Sequence, residues 1–431
     1  MAARNTKRFY GWRVVWGAFL LAAFGWGLGF YGPPVFLQAV RETRGWPVSL
    51  IASAVTFHFL VGALVVARLP ALYRRFGLPA VTRSGAVLLS LGIVGWSLAV
   101  SPWQLFAAAL LTGAGWVAMG AAAINAIVAP WFVRQRPAAL AMAYNGASIG
   151  GVVFSPLWVA AIGAAGFPAA AAATGVIAVI VVFTLSHVFF SKSPRMIGVE
   201  PDGDVAPPET AAAPPRRRPT NLWRERKFVT LAAGMALGLF AQIGLIAHLF
   251  SLLVPALGSE KAGLAMGFAT ACAIGGRTLV GWLMPQEADR RLVACLSYGV
   301  QIAGSLALML SAGASVPLLI LGVTLFGAGI GNATSLPPLI AQADFSKEDA
   351  ERVVPLIVAI GQGSYAFAPA AFGLIRDLAA GESATVLFAA SAFIQLLAVA
   401  ALLGGRRGPL TSTALPCRDR HRDRPPARHS R

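Results

Sequence analysis

The sequence predicts an all-α membrane protein whose twelve transmembrane helices form two pseudo-symmetric halves of six. Hydrophobic residues make up 57% of the 431 residues and charged residues only 12%, whereas an ordinary soluble domain has roughly 45–50% apolar and about 25% charged residues. Apolar stretches of about 20 residues, enough to cross a hydrocarbon core of about 30 Å as helices, recur along nearly the whole chain. One polar segment separates them into two sets of six. A β-barrel would instead show alternating segments of about ten residues.

Twelve apolar stretches are predicted to span the bilayer. They run from about Arg13 to Val40 and then near residues 48–67, 82–100, 102–130, 137–164, 167–190, 228–256, 260–284, 291–312, 316–342, 353–375 and 384–404. The first stretch follows Arg4, Lys7 and Arg8, as the apolar region of a signal peptide does, but it is too long and lacks a convincing cleavage site. We therefore expect it to be retained as the first helix.

The net charge of +18 is distributed as in a membrane protein rather than a nucleic-acid-binding one. If the amino terminus lies in the cytoplasm, thirty of the 35 Lys and Arg residues fall on the cytoplasmic side. The exceptions are Arg41, Arg44, Lys261 and Arg376 on the outer side and Arg277 within a helix. This asymmetry predicts a multi-pass protein of the cell (inner) membrane with both termini cytoplasmic. The lipid bilayer is the expected partner, and nucleic acid is not.

Composition divides the chain into two six-helix halves, a cytoplasmic linker and a basic tail, which comprise residues 1–190 and 228–404, residues 191–227, and residues 405–431. The middle of the linker, with Ala211–Pro215 followed by Arg216, Arg217 and Arg218, is expected to be disordered. The tail is expected to be disordered too. We interpret it as a solvated segment near anionic headgroups, with an RNA-binding tail as the alternative.

The two halves repeat one another in sequence. The matched positions are Gly113, Ala114 and Gly115 with Gly327, Ala328 and Gly329, and Gly150, Phe154 and Pro156 with Gly363, Phe367 and Pro369. The first glycine precedes the proline by 43 residues in one half and by 42 in the other, and Arg75 and Arg290 precede that glycine by 38 and 37 residues. Such constant spacing indicates a duplication, the arrangement in which carriers build a site at the midplane and rock around it. Helix packing alone would explain any single glycine.

Several short motifs carry a resemblance to a known family. Tyr10–Arg13 opens the first helix, Gly45 and Trp46 precede the second, Trp131–Arg136 leads into a fifth helix that begins near Ala138, and Gly198–Gly203 closes the first half. In these motifs the chain resembles the monocarboxylate and oxalate:formate carriers of the major facilitator superfamily, over roughly residues 9–404. The resemblance implies the major facilitator fold and secondary active transport by alternating access.

The superfamily loop between helices two and three, Gly-x-Leu-Ala-Asp-Arg-x-Gly, is only partly matched. Here the stretch is Pro70–Gly77, and Arg74 stands where the family has its acid, next to Arg75. The second half keeps the pair as Asp289 and Arg290. In such carriers the acid and the base latch the cytoplasmic side, so the resemblance makes Arg75, Asp289 and Arg290 the gating candidates. The replacement removes the acid of the first-half latch.

Arg277 is the main candidate for a binding residue. It lies in helix eight, about eight residues or roughly 12 Å from the cytoplasmic end at 1.5 Å per residue. An Arg at a helix centre costs about 2.5–3.5 kcal/mol on translocon scales, so it should face a wet cavity or find an anion. A carboxylate matches its planar fork of donors; in a purely structural role it would bond helix carbonyls or snorkel. In the resembled branch an arginine at this place binds the substrate anion.

Five polar residues at similar depth are secondary candidates for the substrate site: Tyr31, Asn145, His248, Gln362 and Tyr365. Each alone is better explained by a hydrogen bond between packed helices than by ligand binding. His58, His187 and His248 are the membrane-region groups that titrate near neutrality, and His248 is the preferred proton carrier. Related proton-coupled carriers have an acid one turn before the helix-eight arginine, where this chain has Ala273. Either another group couples transport to protons, or anions are exchanged without one.

The sequence therefore predicts a secondary active transporter of a small, monocarboxylate-like organic anion, working as uniporter, symporter or antiporter with a co-transported or exchanged ion. All seventeen Asp and Glu residues lie outside the predicted helix cores, which disfavours a cation pump that depends on an intramembrane carboxylate. The alternatives are efflux of an apolar drug-like compound and, less favoured, a membrane sensor that moves nothing. Neither an enzyme nor a cofactor is expected, and the three cysteines imply no disulfide or metal framework. A monomer is expected.

Overall fold

The computed structural model describes residues 9–203, 221–285, 287–311, 313–379 and 383–406, and its regular structure within these ranges is entirely helical. We number the membrane helices 1 to 12, with interrupted helices given as two segments. They are Tyr10–Gly29 with Gly32–Arg44 (helix 1), Val48–Val66 (2), Leu78–Leu98 (3), Pro102–Ala118 with Ala121–Val128 (4), Arg136–Leu185 (5 and 6), Arg226–Leu283 (7 and 8), Arg290–Leu310 (9), Val316–Ile330 with Asn332–Asp344 (10), Lys347–Ala366 with Ala368–Leu378 (11) and Ser383–Gly404 (12).

Two of these helical runs each contain two membrane crossings. Arg136–Leu185 has 50 residues and Arg226–Leu283 has 58, which is far more than the about 20 residues that one crossing needs. Gly166 and Gly258 interrupt them with φ values of 77° and 74° and extended ψ values, a conformation essentially restricted to glycine. The ten helices that are long and apolar enough to span a membrane in the described ranges therefore make twelve crossings. The predicted fold class is confirmed.

The repeated glycines occupy equivalent contacts in the two halves. Gly113 of helix 4 packs on the backbone of His58 in helix 2, and Gly327 of helix 10 packs on the backbone of Ala269 in helix 8. A side chain at either glycine would collide with a carbonyl oxygen of the neighbouring helix. Small residues at such contacts let membrane helices approach closely. Helix 1 likewise packs on helix 5, and helix 7 on helix 11.

The bundle has two ends, at which different chain segments meet. Helix 1 begins, helix 6 ends, helix 7 begins and helix 12 ends at the same end, which we call the linker end. The turns at Gly166 and Gly258 lie at the opposite end, which we call the far end.

The start of the linker is attached to the first half by one carboxylate. Asp202 accepts hydrogen bonds from the backbone N–H groups of Val133, Arg134 and Gln135 at 3.0, 2.7 and 3.3 Å. Burial raises the pKa of Asp202, but the N–H donors outweigh this effect and hold the pKa below its ordinary value. Residues 195–203 are thereby fixed to the loop that precedes helix 5.

Some sequence predictions lie outside the described residues. They concern Arg4, Lys7 and Arg8, the linker from residue 204 to 220 with Ala211–Pro215 and Arg216 to Arg218, and the tail from residue 407 onward with Cys417. Within the described ranges, Cys272 and Cys295 are free thiols and no group of three His, Cys, Asp or Glu residues is placed to hold a metal ion.

Candidate functional site

The two halves pack tightly against each other at the far end. Helix 8 meets helix 5 where Gly263 lies on Pro156 and Val159 and where Gly267 lies on the carbonyl of Val152. A Cβ at either glycine would come within 3 Å of its neighbour. The two glycines therefore permit the close approach that closes this end.

Helices 2 and 11 cap one another across the same interface. The N–H of Ser49, in the first turn of helix 2, donates to a carboxylate oxygen of Asp377 on helix 11 at 2.9 Å. The N–H of Ala370, in the first turn of the second segment of helix 11, donates to the hydroxyl of Thr56 on helix 2 at 3.0 Å. First-turn N–H groups have no acceptor in their own helix. Each helix thus supplies the acceptor that the other lacks, and both bonds require a closed far end.

Toward the linker end the halves diverge. Asn145 lies seven residues before Val152, hence on the face of helix 5 that meets helix 8, yet it is exposed. On helix 11, Gln362 is exposed, and no heavy atom lies within 4 Å of a Cβ built on Gly363. Neither Asn145 nor Gln362 forms a side-chain hydrogen bond with a described residue. Asn145 thus borders a space between the halves that opens toward the linker end, and Gln362 is exposed on helix 11.

Arg277 projects into this space from helix 8. Its Nε donates to the carbonyl of Gly331, at the break in helix 10, at 3.1 Å. The hydroxyls of Thr334 and Ser335 donate to the same carbonyl at 3.3 and 3.1 Å. The two terminal guanidinium nitrogens form no hydrogen bond, and Arg277 no ion pair, with any residue the structure describes. The guanidinium is held along one edge, and its other donors are free.

Tyr31 stands beside Arg277. It lies at the break in helix 1, where its side chain is next to Thr270 and interacts electrostatically with Arg277. Tyr31 and Thr270 both border Gly151 of helix 5, where a Cβ would collide with each of them. Helices 1, 5 and 8 therefore meet at a glycine and place a phenol, a hydroxyl and a guanidinium around one space.

An apolar pocket adjoins this polar group at the seam of the halves. The rings of Phe30 and Tyr31 are 5.0 Å apart, and Phe59 of helix 2 packs edge-on against Tyr365 of helix 11 at 5.7 Å. Phe30 and Phe59 line the pocket together with aliphatic residues that include Ile243 of helix 7. Tyr365, a sequence candidate, thus belongs to the wall of the seam.

His248 is placed elsewhere. It is fully buried between helices 7 and 11, with Nε2 at 3.0 Å from the carbonyl of Pro369. The Ser251 hydroxyl donates to the backbone carbonyl of His248 and accepts a hydrogen bond from Arg376. Among the described residues, no contact joins His248 to Arg277. These are contacts of helix packing, and a role of His248 in substrate or proton binding stays a prediction.

The gating candidates of the second half lie at the linker end but do not bond to each other. Asp289 caps helix 9 by accepting the N–H of Arg291 at 2.9 Å, and its side chain pairs with Arg406 at 2.6 Å. Arg290 donates instead to the carbonyl of Leu339 at 2.7 Å. Burial raises the pKa of Asp289, but Arg406 and the N–H donors outweigh it and hold the pKa below its ordinary value of 3.8.

Arg75 is exposed on the short helix Leu69–Phe76, with its guanidinium 5.1 Å from the ring centre of Phe76. A buried pair that the sequence analysis missed is Arg291 with Asp344, at 2.8 Å, which joins helices 9 and 10. Thr270 was missed as well. Its position seven residues before Arg277 places both on one helix face, and that spacing could have identified it.

Comparisons with known proteins agree with the twelve-helix fold. The sequence profile of the Major Facilitator Superfamily matches residues 15–369. The chain is 26% identical to "MFS-type transporter 1" of Ophiocordyceps sp. over 364 residues, 80% of this chain and 74% of that protein. It is 26% identical to "MFS transporter asaE" of Aspergillus flavus over 408 residues, 89% of this chain and 85% of that protein.

Two solved structures are similar in fold. A bacterial homologue of the human lysosomal transporter Spinster, in an inward-facing and occupied conformation, has a TM-score of 0.68 and 15% identity, covering 92% of this chain and 98% of that one. The nucleoside transporter NupG has a TM-score of 0.71 and 12% identity, covering 92% and 100%.

Proposed function

The chain belongs to the Major Facilitator Superfamily and is a multi-pass membrane transporter, and from this premise we propose that it carries a small organic monoanion by alternating access. In this proposal Arg277 binds the carboxylate, with Tyr31 and Thr270 beside it. The resemblance of the sequence to monocarboxylate and oxalate:formate carriers supports the same substrate class.

One observation carries the proposal: the terminal nitrogens of Arg277 are unpaired in a space that is open at one end of the bundle. The Gly331 carbonyl fixes Nε and so orients the guanidinium. The remaining two nitrogens present parallel N–H donors, which is the geometry that binds a carboxylate bidentately. Because the guanidinium cannot lose its proton at physiological pH, an anionic ligand is the partner that neutralises it.

We also propose that the structure represents an inward-facing state. With both termini in the cytoplasm, as the distribution of Lys and Arg predicts, the linker end faces the cytoplasm. The closed far end then separates Arg277 from the outside. A substrate enters or leaves from the cytoplasmic side in this state, and closing the linker end while opening the far end completes the cycle.

The second candidate function is efflux of an apolar drug-like compound. The apolar side chains at the seam, which include Phe30 and Phe59, favour it, because an apolar compound would contact them without needing a charge partner. The pocket between them is too small for such a compound in this state, so the compound would enter in a more open conformation. In that case Arg277 would serve only to bond helix 10 through Gly331. The two candidate functions therefore assign different roles to the Arg277 side chain.

Uptake into proteoliposomes separates the candidates. Labelled formate, acetate, lactate and benzoate are supplied to wild-type protein and to Arg277→Lys and Arg277→Gln, with transport normalised to inserted protein. We expect saturable uptake by the wild type, at least about tenfold less by the lysine variant, which keeps the charge but loses the paired donors, and none by the glutamine variant. Arg352→Gln, an exposed arginine on helix 11, is the matched control and should transport normally.

Normal anion uptake per molecule by Arg277→Gln would contradict the proposal. Export of an uncharged dye from the same proteoliposomes, unaffected by Arg277→Gln, would then favour the efflux function. Poor insertion of both variants with unchanged transport per inserted molecule would assign Arg277 a structural role.

A further inference from the structure

The loop between helices 2 and 3 concentrates positive charge at the linker end. Residues 66–84 contain four arginines, Arg68, Arg74, Arg75 and Arg83, and no acid. Arg68, Arg74 and Arg75 are exposed on and beside the short helix Leu69–Phe76. We call these four residues the arginine cluster. None of them forms an ion pair with a residue that the structure describes.

The equivalent loop of the second half is neutralised internally. There Arg291 pairs with Asp344 at 2.8 Å, and Asp289 pairs with Arg406 at 2.6 Å. In the sequence repeat, Arg74 occupies the position that Asp289 occupies in the second half. The substitution replaces an acid with a base, so the loop keeps four positive charges that no described acid neutralises.

Arg83 extends the cluster toward the bilayer. It lies five residues, roughly 7.5 Å, beyond the start of helix 3, and its guanidinium sits 5.5 Å from the ring centre of Phe183 on helix 6. Its Nε is buried and has no hydrogen-bond partner. Phe183 is 42% exposed and Phe76, at the end of the loop helix, is 56% exposed. Unpaired donors and exposed aromatic rings therefore border one another where helices 3 and 6 meet the loop.

We propose that the arginine cluster binds the phosphate of an anionic phospholipid in the leaflet at the linker end. The phosphate accepts from the unpaired guanidinium groups, while the acyl chains lie along the exposed apolar surface that includes Phe183. A lipid fits better than free phosphate because the deepest member of the cluster, Arg83, lies within a membrane helix. With the termini cytoplasmic, this is the leaflet that carries anionic lipid.

Lipid binding to the purified transporter tests the proposal. The full chain in detergent is titrated with phosphatidylglycerol, phosphatidylcholine and inorganic phosphate, and the bound lipid is counted by native mass spectrometry. We expect retention of phosphatidylglycerol over phosphatidylcholine by the wild type, with affinity falling about fivefold for each arginine removed. Arg83→Gln removes the deep donor, and Arg74→Asp replaces an exposed base of the loop with an acid. Arg44→Gln, an exposed arginine at the far end, is the matched control.

Three outcomes overturn the proposal. The first is equal retention of phosphatidylglycerol and phosphatidylcholine, and the second is unchanged retention of phosphatidylglycerol by both Arg83→Gln and Arg74→Asp. The third is equal protection from unfolding by inorganic phosphate and by phosphatidylglycerol, which would make free phosphate the ligand. Arg74→Asp lies in an exposed loop and keeps the test valid if Arg83→Gln does not fold. Arg277→Gln should retain phosphatidylglycerol normally. Failure of the transport proposal is thereby distinguished from failure of this one.

Discussion

Replacing Thr56 by valine should shift the protein from the conformation with a closed far end toward one with an open far end. The Thr56 hydroxyl accepts the N–H of Ala370 from the other half, and only 7% of Thr56 is exposed. Valine has the same shape but offers no acceptor. The N–H of Ala370, which is partly buried, then has no partner while the far end is closed, and water reaches it when the far end opens.

The size of the shift follows from the cost of an unpaired donor. Leaving a buried N–H without an acceptor costs about 1–3 kcal/mol, and because this cost falls on one conformation, it changes the equilibrium between the two by about 5- to 150-fold. If about 1% of the wild type is open at the far end, the variant should be open in about 5% to 60% of molecules. The bond from Ser49 to Asp377 still forms in the closed conformation of both the wild type and the Thr56→Val variant.

Spin labels at Arg44→Cys and Leu378→Cys, in a background without the three native cysteines, report the far-end distance in nanodiscs. Thr56→Ser keeps the acceptor and should match the wild type. Thr184→Val, whose native hydroxyl bonds only its own helix, is the matched control. A folded Thr56→Val protein with the wild-type distance distribution would refute the reasoning that this capping bond holds the far end closed.

Further predictions concern the linker, the gate, the substrate and the topology. Asp202→Ala should speed tryptic cleavage in the loop before helix 5, because three N–H groups lose their acceptor; an unchanged rate would contradict the attachment. The Asp289–Arg406 pair stabilises the fold above pH 3.8, the ordinary pKa of Asp289, and this contribution is lost as the pH falls through the lowered pKa. Asp289→Asn should therefore unfold at a lower temperature than the wild type at neutral pH, and the difference should shrink toward pH 3. Monocarboxylates should compete for uptake better than oxalate above pH 7, because a second carboxylate would lack a partner beside Arg277; tight oxalate binding that does not depend on His248 would count against this. A membrane-impermeant maleimide should fail to label Arg217→Cys from outside intact cells.

Hydropathy predicted the number of helices because the bilayer requires each crossing to be a long apolar helix. It could not predict where helices break, since the apolar composition continues through the interruptions. Helix 5 and helix 11 illustrate this. Both carry the matched phenylalanine and proline, yet helix 5 continues through Pro156 while helix 11 is interrupted at Phe367, before Pro369.

Arg277 and Tyr31 were chosen as candidates because polar groups are rare at that depth, and the structure places them side by side; their binding role stays a prediction. The rotation of each helix about its axis could not be predicted from sequence, because lipid is as apolar as the protein interior and a membrane helix therefore has no polar face that indicates its orientation. His248 was therefore chosen by residue type, although it bonds helix 11. Asp289 and Arg290, the gating candidates, bond different groups, because adjacent residues at a helix start point in different directions; their gating role stays a prediction.

In two tightly packed helix pairs, one member is broken and the other is continuous. Helix 1 is interrupted at Tyr31 and lies against the unbroken helix 5, with Gly146 and Gly150 on its backbone. Helix 11 is interrupted at Phe367 and lies against the unbroken helix 7. The unbroken partner supports the broken helix along their contact, so we expect the broken helix to bend along that line of contact. Helices 4 and 10 are interrupted in both halves alike, but of these two pairs the first half is broken in helix 1 and the second half in helix 11, so the two halves are mechanically unequal despite their common sequence pattern.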